Sequence, residues 1–254
     1  MGVNNLWTII AQTREKISMR EMGASARKEG RDAPLLAVDV STWLVAFAMV
    51  PHTAREKKPY LRYLFQRLNK LIRFGARLVL VLDGEAPALK RSQRSKGEQT
   101  IFRRMSREAR TLCGFLGLPC LQAKGEAEAL CAQLDKEGIV DGILTTDGDA
   151  FVYGAQRIYR FEETKEQDIT LERYTLASLK AAHGLEQDSL LLMALLLGCD
   201  FCEGVPQVGP NKVTNPNPYH NLNHNPNLDR NKGAGIRPGS RGGRMRGASR
   251  GAPS

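Results

Sequence analysis

The chain of 254 residues carries 37 Lys and Arg against 27 Asp and Glu, which gives a formal net charge of +10 at pH 7. This length suits one large α/β domain or a domain with appendages, and the basic balance favours a polyanionic partner. The longest apolar run, residues 190–197, is too short to span a bilayer, and no basic, apolar leader opens the chain. Five cysteines, an odd number, are expected to be reduced inside a cell.

Helical and strand patterns alternate along the chain. In chain order they predict an Asn-capped helix over residues 4–10, a loop over 19–32, a strand over 34–40, a helix over 60–74, strands over 77–82, 118–121 and 142–145, edge strands over 157–161 and 169–174, and helices over 176–183 and 189–197. Because helices separate the apolar strands, βαβ crossovers and a parallel sheet are expected.

Acidic residues end three of the predicted strands. Asp39 and Asp83 each follow a buried run, and Asp147-Gly148-Asp149 follows a third. The carboxyl ends of parallel strands share one sheet edge, so these acids should lie together. Ser41 is expected to cap the helix after Asp39. Less specific interpretations also exist: Asp39 as the helix N-cap itself, and the Asp-Gly-Asp run as a solvated turn.

Three further acids stand at element boundaries. Glu126 and Glu128 open a helical segment, and Asp200 follows the last apolar helix. Because Glu126 and Glu128 are two residues apart, they can converge only at the mouth of the helix. Carboxylates held close together repel unless a cation lies between them, and Mg²⁺ prefers carboxylate oxygens. The seven acids therefore predict a divalent-metal site. Because no histidine lies near them in the sequence, an imidazole base is not indicated.

Two other motifs leave alternatives open. Residues 90–110 hold eight basic residues and two acids, which indicates either a solvated helix face or an arm that grips phosphates. The position of this run directly after Asp83 favours the arm. Cys199-x-x-Cys202 could be a zinc ligand pair or a dithiol, but a zinc site needs four ligands and the sequence has no second such pair.

The chain resembles the flap endonuclease/XPG family of structure-selective nucleases, and within it the GEN-type Holliday-junction resolvase branch. The resemblance runs from residue 1 to about residue 213 and rests on six phrases: MGVNNLW, AVDVSTW, LDGEAPALK, GEAEALCA, TTDGDAFVYGAQ and LLGCDF. It implies a PIN-like α/β nuclease domain with a central, mainly parallel sheet flanked by helices and with two Mg²⁺ ions. By motif position, the first ion would be served by Asp39, Asp83, Glu126 and Glu128, and the second by Asp147, Asp149 and Asp200.

The resemblance also implies contacts to DNA. Lys90 stands where the family has a catalytic, phosphate-contacting lysine. The expected DNA contacts are Gly2, Lys90, Arg91, Arg94, Arg103, Arg104, Arg107, Gly204, Gly209 and Lys212. Two positions depart from flap endonucleases, because Gly97 replaces an arginine and Val45 replaces an aromatic base-stacker. Both departures favour the GEN-type branch.

The expected domain organisation follows the same resemblance. Residues 1–96 and 97–202 would form one folded nuclease domain, with a basic arch over about 88–110. Residues 203–213 resemble the start of a helix-two-turn-helix that binds K⁺, with Gln207 in place of the usual glycine. Residues 214–254 are rich in Asn and Pro, then in Gly and Arg, and are expected to be disordered, as a truncated gene product or as a nucleic-acid-binding arm.

The resulting functional expectation is a nuclear, Mg²⁺-dependent DNA endonuclease that cleaves flaps and Holliday junctions, with no membrane association and a possible dimer on four-way junctions. Two alternatives stay open: a PIN-type nuclease acting on RNA, and a truncated DNA-binding product with little activity.

Overall fold

The computed structural model of the chain contains a seven-stranded sheet with helices packed on both faces. It describes residues 2–49, 57–85, 96–161 and 169–210. The strands are β1 (Glu15–Ser18), β2 (Leu35–Asp39), β3 (Arg77–Leu82), β4 (Cys120–Gln122), β5 (Ile143–Leu144), β6 (Arg157–Phe161) and β7 (Thr170–Thr175). The helices are α1 (Leu6–Ile9), α2 (Met19–Lys28), α3 (Val40–Ala48), α4 (Pro59–Arg73), α5 (Lys96–Phe115), α6 (Ala127–Lys136), α7 (Asp149–Val152), α8 (Leu176–His183) and α9 (Gln187–Leu197).

The strand order is β1-β7-β6-β5-β2-β3-β4. The five strands from β6 to β4 are parallel to their neighbours, whereas β7 pairs antiparallel with both β6 and β1. The predicted central, mainly parallel sheet is confirmed. The prediction that β6 and β7 are edge strands is wrong, because β1, which the sequence analysis did not predict, pairs with β7 and occupies that edge.

Strand β2 shows why the sequence of a central strand is a continuous apolar run. Leu36 and Val38 face one hydrophobic core, which includes Trp43, whereas Ala37 faces a second core, which includes Phe151. A strand covered by helices on both faces has no solvent-facing position, so hydrophobic and polar residues do not alternate along it.

Residues 19–28 form helix α2, so the predicted loop over residues 19–32 is wrong for most of its length. The helix begins at a capping box, in which Ser18 accepts a hydrogen bond from the Glu21 N–H and the Glu21 side chain accepts one from the Ser18 N–H. Met19 and Met22 are buried on its inner face. The Ser-x-x-Glu signal was present in the sequence and could have identified this helix.

The other helices agree more closely with the sequence. Helices α4, α8 and α9 confirm the predictions over residues 60–74, 176–183 and 189–197. Helix α1 is also present, but Asn5 makes no side-chain cap and adopts φ 61°. No helix in the described parts of the chain is both long and apolar enough to cross a membrane.

Candidate active site

The carboxyl ends of β2, β3 and β5, the start of α6 and the segment after α9 bring the predicted acids to one cavity. Six of the seven acids line it: Asp39, Asp83, Glu126, Glu128, Asp147 and Asp200. Asp149 lies beside them, where its N–H donates to the Asp147 carboxylate over 3.1 Å. The gathering of acids at one sheet edge follows from the parallel strand order, as the sequence analysis expected.

Asp39 combines both of its predicted interpretations. One carboxylate oxygen caps α3 by accepting from the Ser41 and Thr42 N–H groups, at 3.1 and 3.3 Å. The other oxygen accepts from the Thr145 hydroxyl at 3.0 Å, and the residue lines the cavity. Ser41 does not cap the helix, contrary to prediction; its hydroxyl accepts from the Asp83 N–H at 2.9 Å.

Thr145 is a site residue that the sequence analysis missed. Its hydroxyl donates to Asp39 and accepts from the Asp147 N–H at 3.1 Å, so it links the acids at the ends of β2 and β5. The side chain is 1% exposed. No local pattern marks a threonine at the end of a strand as a bridge between two acids.

We expect Thr145→Val to reduce DNA cleavage about tenfold or more, because the loss of a hydrogen bond that orients an active-site group typically costs 10–100-fold. Valine keeps the size and branching of threonine but leaves the Asp147 N–H and the Asp39 oxygen without this partner. Thr145→Ser is the matched control and should retain most of the activity. Steady-state cleavage rates of the three proteins test this, and equal rates for Val and Ser would refute the bridging role.

The acids of β3 and α6 are connected through the backbone. An Asp83 carboxylate oxygen accepts from the Ala127 N–H at 2.8 Å, which ties the end of β3 to the first turn of α6. Glu126 is at the N-cap position of α6 and accepts from the Tyr153 hydroxyl at 2.7 Å. Glu128 follows in the first turn and is 5% exposed. The two glutamates therefore meet the cavity at the mouth of the helix.

The N-terminal residues are bound to the same acids. The Gly2 N–H donates to Asp200 at 3.1 Å, and the Val3 N–H donates to Asp149 at 2.6 Å. Gly2 has φ 93°, and a Cβ atom there would lie 2.2 Å from an Asp147 oxygen. Gly2 is therefore placed to orient the carboxylates, and its predicted contact with DNA stays a prediction.

Burial and mutual repulsion perturb the acids. Burial, and then the nearby Asp83 charge, raise the pKa of Asp39 to about 7. Burial raises the pKa of Glu128 well above its usual range, and the charges of Asp147 and Glu126 add to this effect. Carboxylates in this arrangement are stabilised by protons or by a cation.

This repulsion predicts how the stability of the metal-free protein depends on pH. Because the pKa of Asp39 is higher in the folded than in the unfolded chain, its contribution to the free energy of unfolding is present below about pH 4 and is lost as pH rises through about 7. Asp39→Asn removes the charge, and asparagine caps helices as well as aspartate does. In EDTA the free energy of unfolding of the variant should therefore exceed that of wild type by on the order of 1–3 kcal/mol at pH 8. The difference should shrink toward pH 4. Urea unfolding at several pH values measures this, and a difference independent of pH would contradict it.

The donor set fits magnesium in its chemistry, because it consists of carboxylate oxygens. Within residues 2–49, 57–85, 96–161 and 169–210, no three His, Cys, Asp or Glu side chains are grouped closely enough to hold an ion as they are placed. The cavity therefore offers the ligands that Mg²⁺ prefers, but the carboxylates of its described residues do not converge on one point.

A basic cavity adjoins the acidic one on the side of α5. Arg103 and Arg107 line a space of about 310 Å³ that also reaches Asp83 and is shared with Arg110. Arg104 is on another side of the helix, where its charge acts on Glu108 and Tyr60. Residues four apart share a helix face and adjacent residues do not, so the helical spacing could have separated Arg104 from the other two. Lys90, Arg91 and Arg94 lie outside the described residues.

We therefore expect Arg103→Ala/Arg107→Ala to weaken DNA binding and to lower the slope of log K against log salt by about two, since each lost phosphate contact accounts for about one. Arg104→Ala is the control from the same helix and should change the slope little. Fluorescence anisotropy over a range of salt concentrations measures both. An equal loss in the control variant would show that only the overall charge matters.

The segment after α9 holds the remaining predicted residues. Gly204 has φ 80°, and a Cβ there would lie 2.5 Å from the Gly198 nitrogen, so its visible role is close backbone packing. A hydrogen bond from the Val208 N–H to the Val205 carbonyl closes a turn with Gln207 at φ 65°, a position where glycine is usual. A Cβ at Gly209 would meet no atom within 4 Å. Lys212 lies outside the described residues.

The cysteines of this segment are close together. The Cys199 and Cys202 sulfurs are 3.7 Å apart, on either side of Asp200. Burial raises the pKa of the Cys199 thiol. The Cys-x-x-Cys spacing is compatible with a zinc ligand pair or with a dithiol, and in the structure the two thiols lie next to each other.

The fold and this site define a PIN-like α/β protein with a carboxylate cavity at the ends of its parallel strands. Two family models match the chain: the XPG N-terminal domain over residues 1–103 and the XPG I-region over residues 117–200. Together the two models cover most of the chain, which therefore belongs to the XPG family.

Individual relatives agree with this assignment. Flap endonuclease GEN homolog 1 of Mus musculus is 39% identical over 227 residues, which cover 82% of this chain and 24% of the relative. The crystal structure of human GEN1 in complex with Holliday junction DNA is 36% identical, with a TM-score of 0.74, and the match covers 90% of this chain and 57% of that one. A junction-resolving GEN1 in complex with product DNA and a Mg²⁺ ion is 24% identical, with a TM-score of 0.67 over 84% of this chain and 50% of that one, and shares the fold. The chain spans about a quarter of the length of the mouse relative.

Proposed function

We propose that this chain is a magnesium-dependent, structure-selective DNA endonuclease that hydrolyses phosphodiester bonds at flaps and four-way junctions. The observation that carries the proposal is the cavity lined by six carboxylates, with a seventh beside it, next to the basic face of α5. An acidic cavity with a basic rim suits a polyanion that is handled with divalent cations. Family membership selects DNA among the polyanions.

The residues of the site suit hydrolysis of a phosphodiester. Magnesium held by the seven acids would activate water and offset charge on the leaving oxygen, so no side-chain base is required. Thr145 and the Gly2 and Val3 N–H groups hold the acids in place. Arg103 and Arg107 would position the backbone phosphates beside Asp83, where orientation contributes to rate.

The finer parts of the proposal rest on the family resemblance. The metal ions would be two Mg²⁺, each held by one of the two groups of acids, and a K⁺ at residues 203–213. Lys90 would contact a phosphate. The chain would act in the nucleus and form a dimer on four-way junctions. Residues 1–96 and 97–202 would act as one nuclease domain, with residues 88–110 forming its basic arm. A GEN1 that shares this fold was solved with Mg²⁺ and product DNA, which is consistent with the choice of metal.

The test is incubation of residues 1–254 with a panel of substrates of matched length: a 5′ flap, a four-way junction, duplex DNA, single-stranded DNA and RNA. Each is assayed with Mg²⁺ and with EDTA. We expect metal-dependent cleavage of the flap or the junction at a rate well above that of plain duplex.

Other outcomes discriminate between the alternatives. Preferential cleavage of RNA would identify an RNA nuclease and refute the DNA assignment. Tight binding of branched DNA without cleavage in Mg²⁺ would identify a binding protein. Cleavage that persists in EDTA would remove the acids from the mechanism.

A further inference from the structure

Residues 199–202 form a two-residue hairpin closed by cysteines. The Cys199 N–H donates to the Cys202 carbonyl at 2.8 Å, and the Cys202 N–H donates to the Cys199 carbonyl at 3.1 Å. Such a hydrogen-bonded antiparallel pair has Cα atoms about 5.5 Å apart, which lies within the range of disulfide-bonded cysteines. The Cα separation is therefore compatible with a bridge between these two residues.

The thiols are also close to bonding distance. Their sulfurs are 3.7 Å apart, and both residues are partly exposed, so a small oxidant can reach them. A disulfide bond is about 2.05 Å long, which requires an approach of roughly 1.6 Å. In the described parts of the chain, no third His, Cys, Asp or Glu joins the pair to make a metal site.

The hairpin carries one of the candidate active-site acids at its turn. Asp200 and Phe201 are the two residues between the cysteines, and Asp200 lines the acidic cavity. Asp200 also accepts a hydrogen bond from the Gly2 N–H. The Cβ atoms of a hydrogen-bonded antiparallel pair lie about 5 Å apart, against about 3.8 Å in a disulfide. Formation of the bond therefore has to tighten a turn of only two residues, which moves Asp200.

We propose that Cys199 and Cys202 are a redox-modification site, in which an intramolecular disulfide displaces Asp200 and switches the chain to an inactive form. The effect on activity rests on the proposed nuclease function, whereas the formation of the disulfide does not.

The oxidant is a peroxide, and the step balances. One Sγ attacks a peroxide oxygen and breaks the O–O bond, which leaves a sulfenic acid and releases one water. The other Sγ attacks that sulfur, forms the S–S bond and releases a second water. Two thiols and one hydrogen peroxide thus give one disulfide and two waters, and an added dithiol reverses the change by thiol exchange.

A second pair of thiols provides a control. The Cys113 and Cys120 side chains also contact each other, but Cys113 is buried and the pair lies between α5 and β4. Cys120→Ser removes this pair and leaves the hairpin intact. Cys202→Ser removes the hairpin pair with the smallest change of shape, and neither residue belongs to the acidic cavity.

The experiment treats the whole chain with hydrogen peroxide, blocks the remaining thiols under denaturing conditions and maps tryptic peptides by mass. Both hairpin cysteines fall in one peptide, residues 181–212. We expect this peptide to lose two hydrogens, about 2 Da, in wild type and Cys120→Ser but not in Cys202→Ser. Oxidation of Met193 in the same peptide would add an oxygen and is distinguished by its mass.

Two functional measurements accompany the mass map. Cleavage of a junction or flap in Mg²⁺ should fall by at least about tenfold after oxidation, since a misplacement of about 1 Å can cost 10²-fold, and it should recover with dithiothreitol. Amide hydrogen exchange over residues 2–10 should become faster, because the Gly2 N–H loses its Asp200 partner. Cys202→Ser should show neither change.

The outcomes are decisive. Two alkylatable thiols in the 181–212 peptide of oxidised wild type would overturn the modification site. A disulfide that leaves both cleavage and exchange unchanged would overturn the displacement of Asp200. If the reduced chain cleaves no DNA, the proposed function fails, and the mass map and the exchange over residues 2–10 still decide this inference.

Discussion

Asp147→Asn is expected to reduce DNA cleavage by at least about 100-fold while leaving the protein folded, because loss of one carboxylate unbalances the site that would hold the metal. Asp147 follows β5, lines the acidic cavity and receives a hydrogen bond from the Asp149 N–H. Asparagine preserves an oxygen for that bond but lacks the charge. Asp149→Asn should behave in the same way, since its side chain belongs to the same Asp-Gly-Asp run.

The control for this prediction is Asp188→Asn, an exposed acid in the first turn of α9 that does not line the cavity. It should cleave at the wild-type rate. The measurement is single-turnover cleavage over a range of Mg²⁺ concentrations, with circular dichroism to verify folding. Undiminished cleavage by a folded Asp147→Asn protein would remove this carboxylate from the mechanism.

Gly2→Ala is expected to have the second large effect, through both stability and activity. A Cβ at Gly2 would lie 2.2 Å from an Asp147 oxygen and 2.8 Å from an Asp149 oxygen, closer than atoms approach without a shift. Its φ of 93° also disfavours alanine, by roughly 1–2 kcal/mol. Either the N-terminal segment detaches, which separates Gly2 from Asp200, or the Asp147 and Asp149 carboxylates move. Both results disturb the acids of the cavity.

We expect Gly2→Ala to lose about 2–4 kcal/mol in the free energy of unfolding, or to keep a detached N-terminus, and to cleave DNA at least about tenfold more slowly. Gly30→Ala is the matched control, because Gly30 has φ 76° but open space where its Cβ would be. It should pay only the backbone cost and retain activity. Equal losses in the two variants would attribute the effect to backbone conformation rather than to the contact with the acids.

Local patterns in the sequence were sufficient for much of the fold and for the list of acids. An apolar run followed by an acid, as at Asp39 and Asp83, indicates within a few residues both a buried strand and the position where it ends. Alternation of such runs with helical spacing required a parallel sheet, and the shared edge of a parallel sheet then required the acids to be neighbours. The family resemblance used the same residues and added the expected chemistry.

The errors in the fold have physical causes of two kinds. Charged and small residues make the segment of helix α2 look like a loop, although its buried positions 19, 22, 23 and 26 have helical spacing and its Ser18–Glu21 capping box is visible in the sequence. Strand β1 was missed because its partner, β7, is about 155 residues away, as in the pair Ile17 and Leu171, and no local period records such a pairing.

The parallel α/β sheet and the carboxylates at its strand ends could be predicted from local patterns, because periodicity and strand termination are properties of neighbouring residues. How those carboxylates are held is apparent only in the folded chain. The Thr145 bridge to Asp39 joins residues 106 positions apart, and the Gly2 contact with Asp200 joins residues 198 positions apart. These contacts arise from chain packing in three dimensions, and the sequence around each residue carries no record of its distant partner.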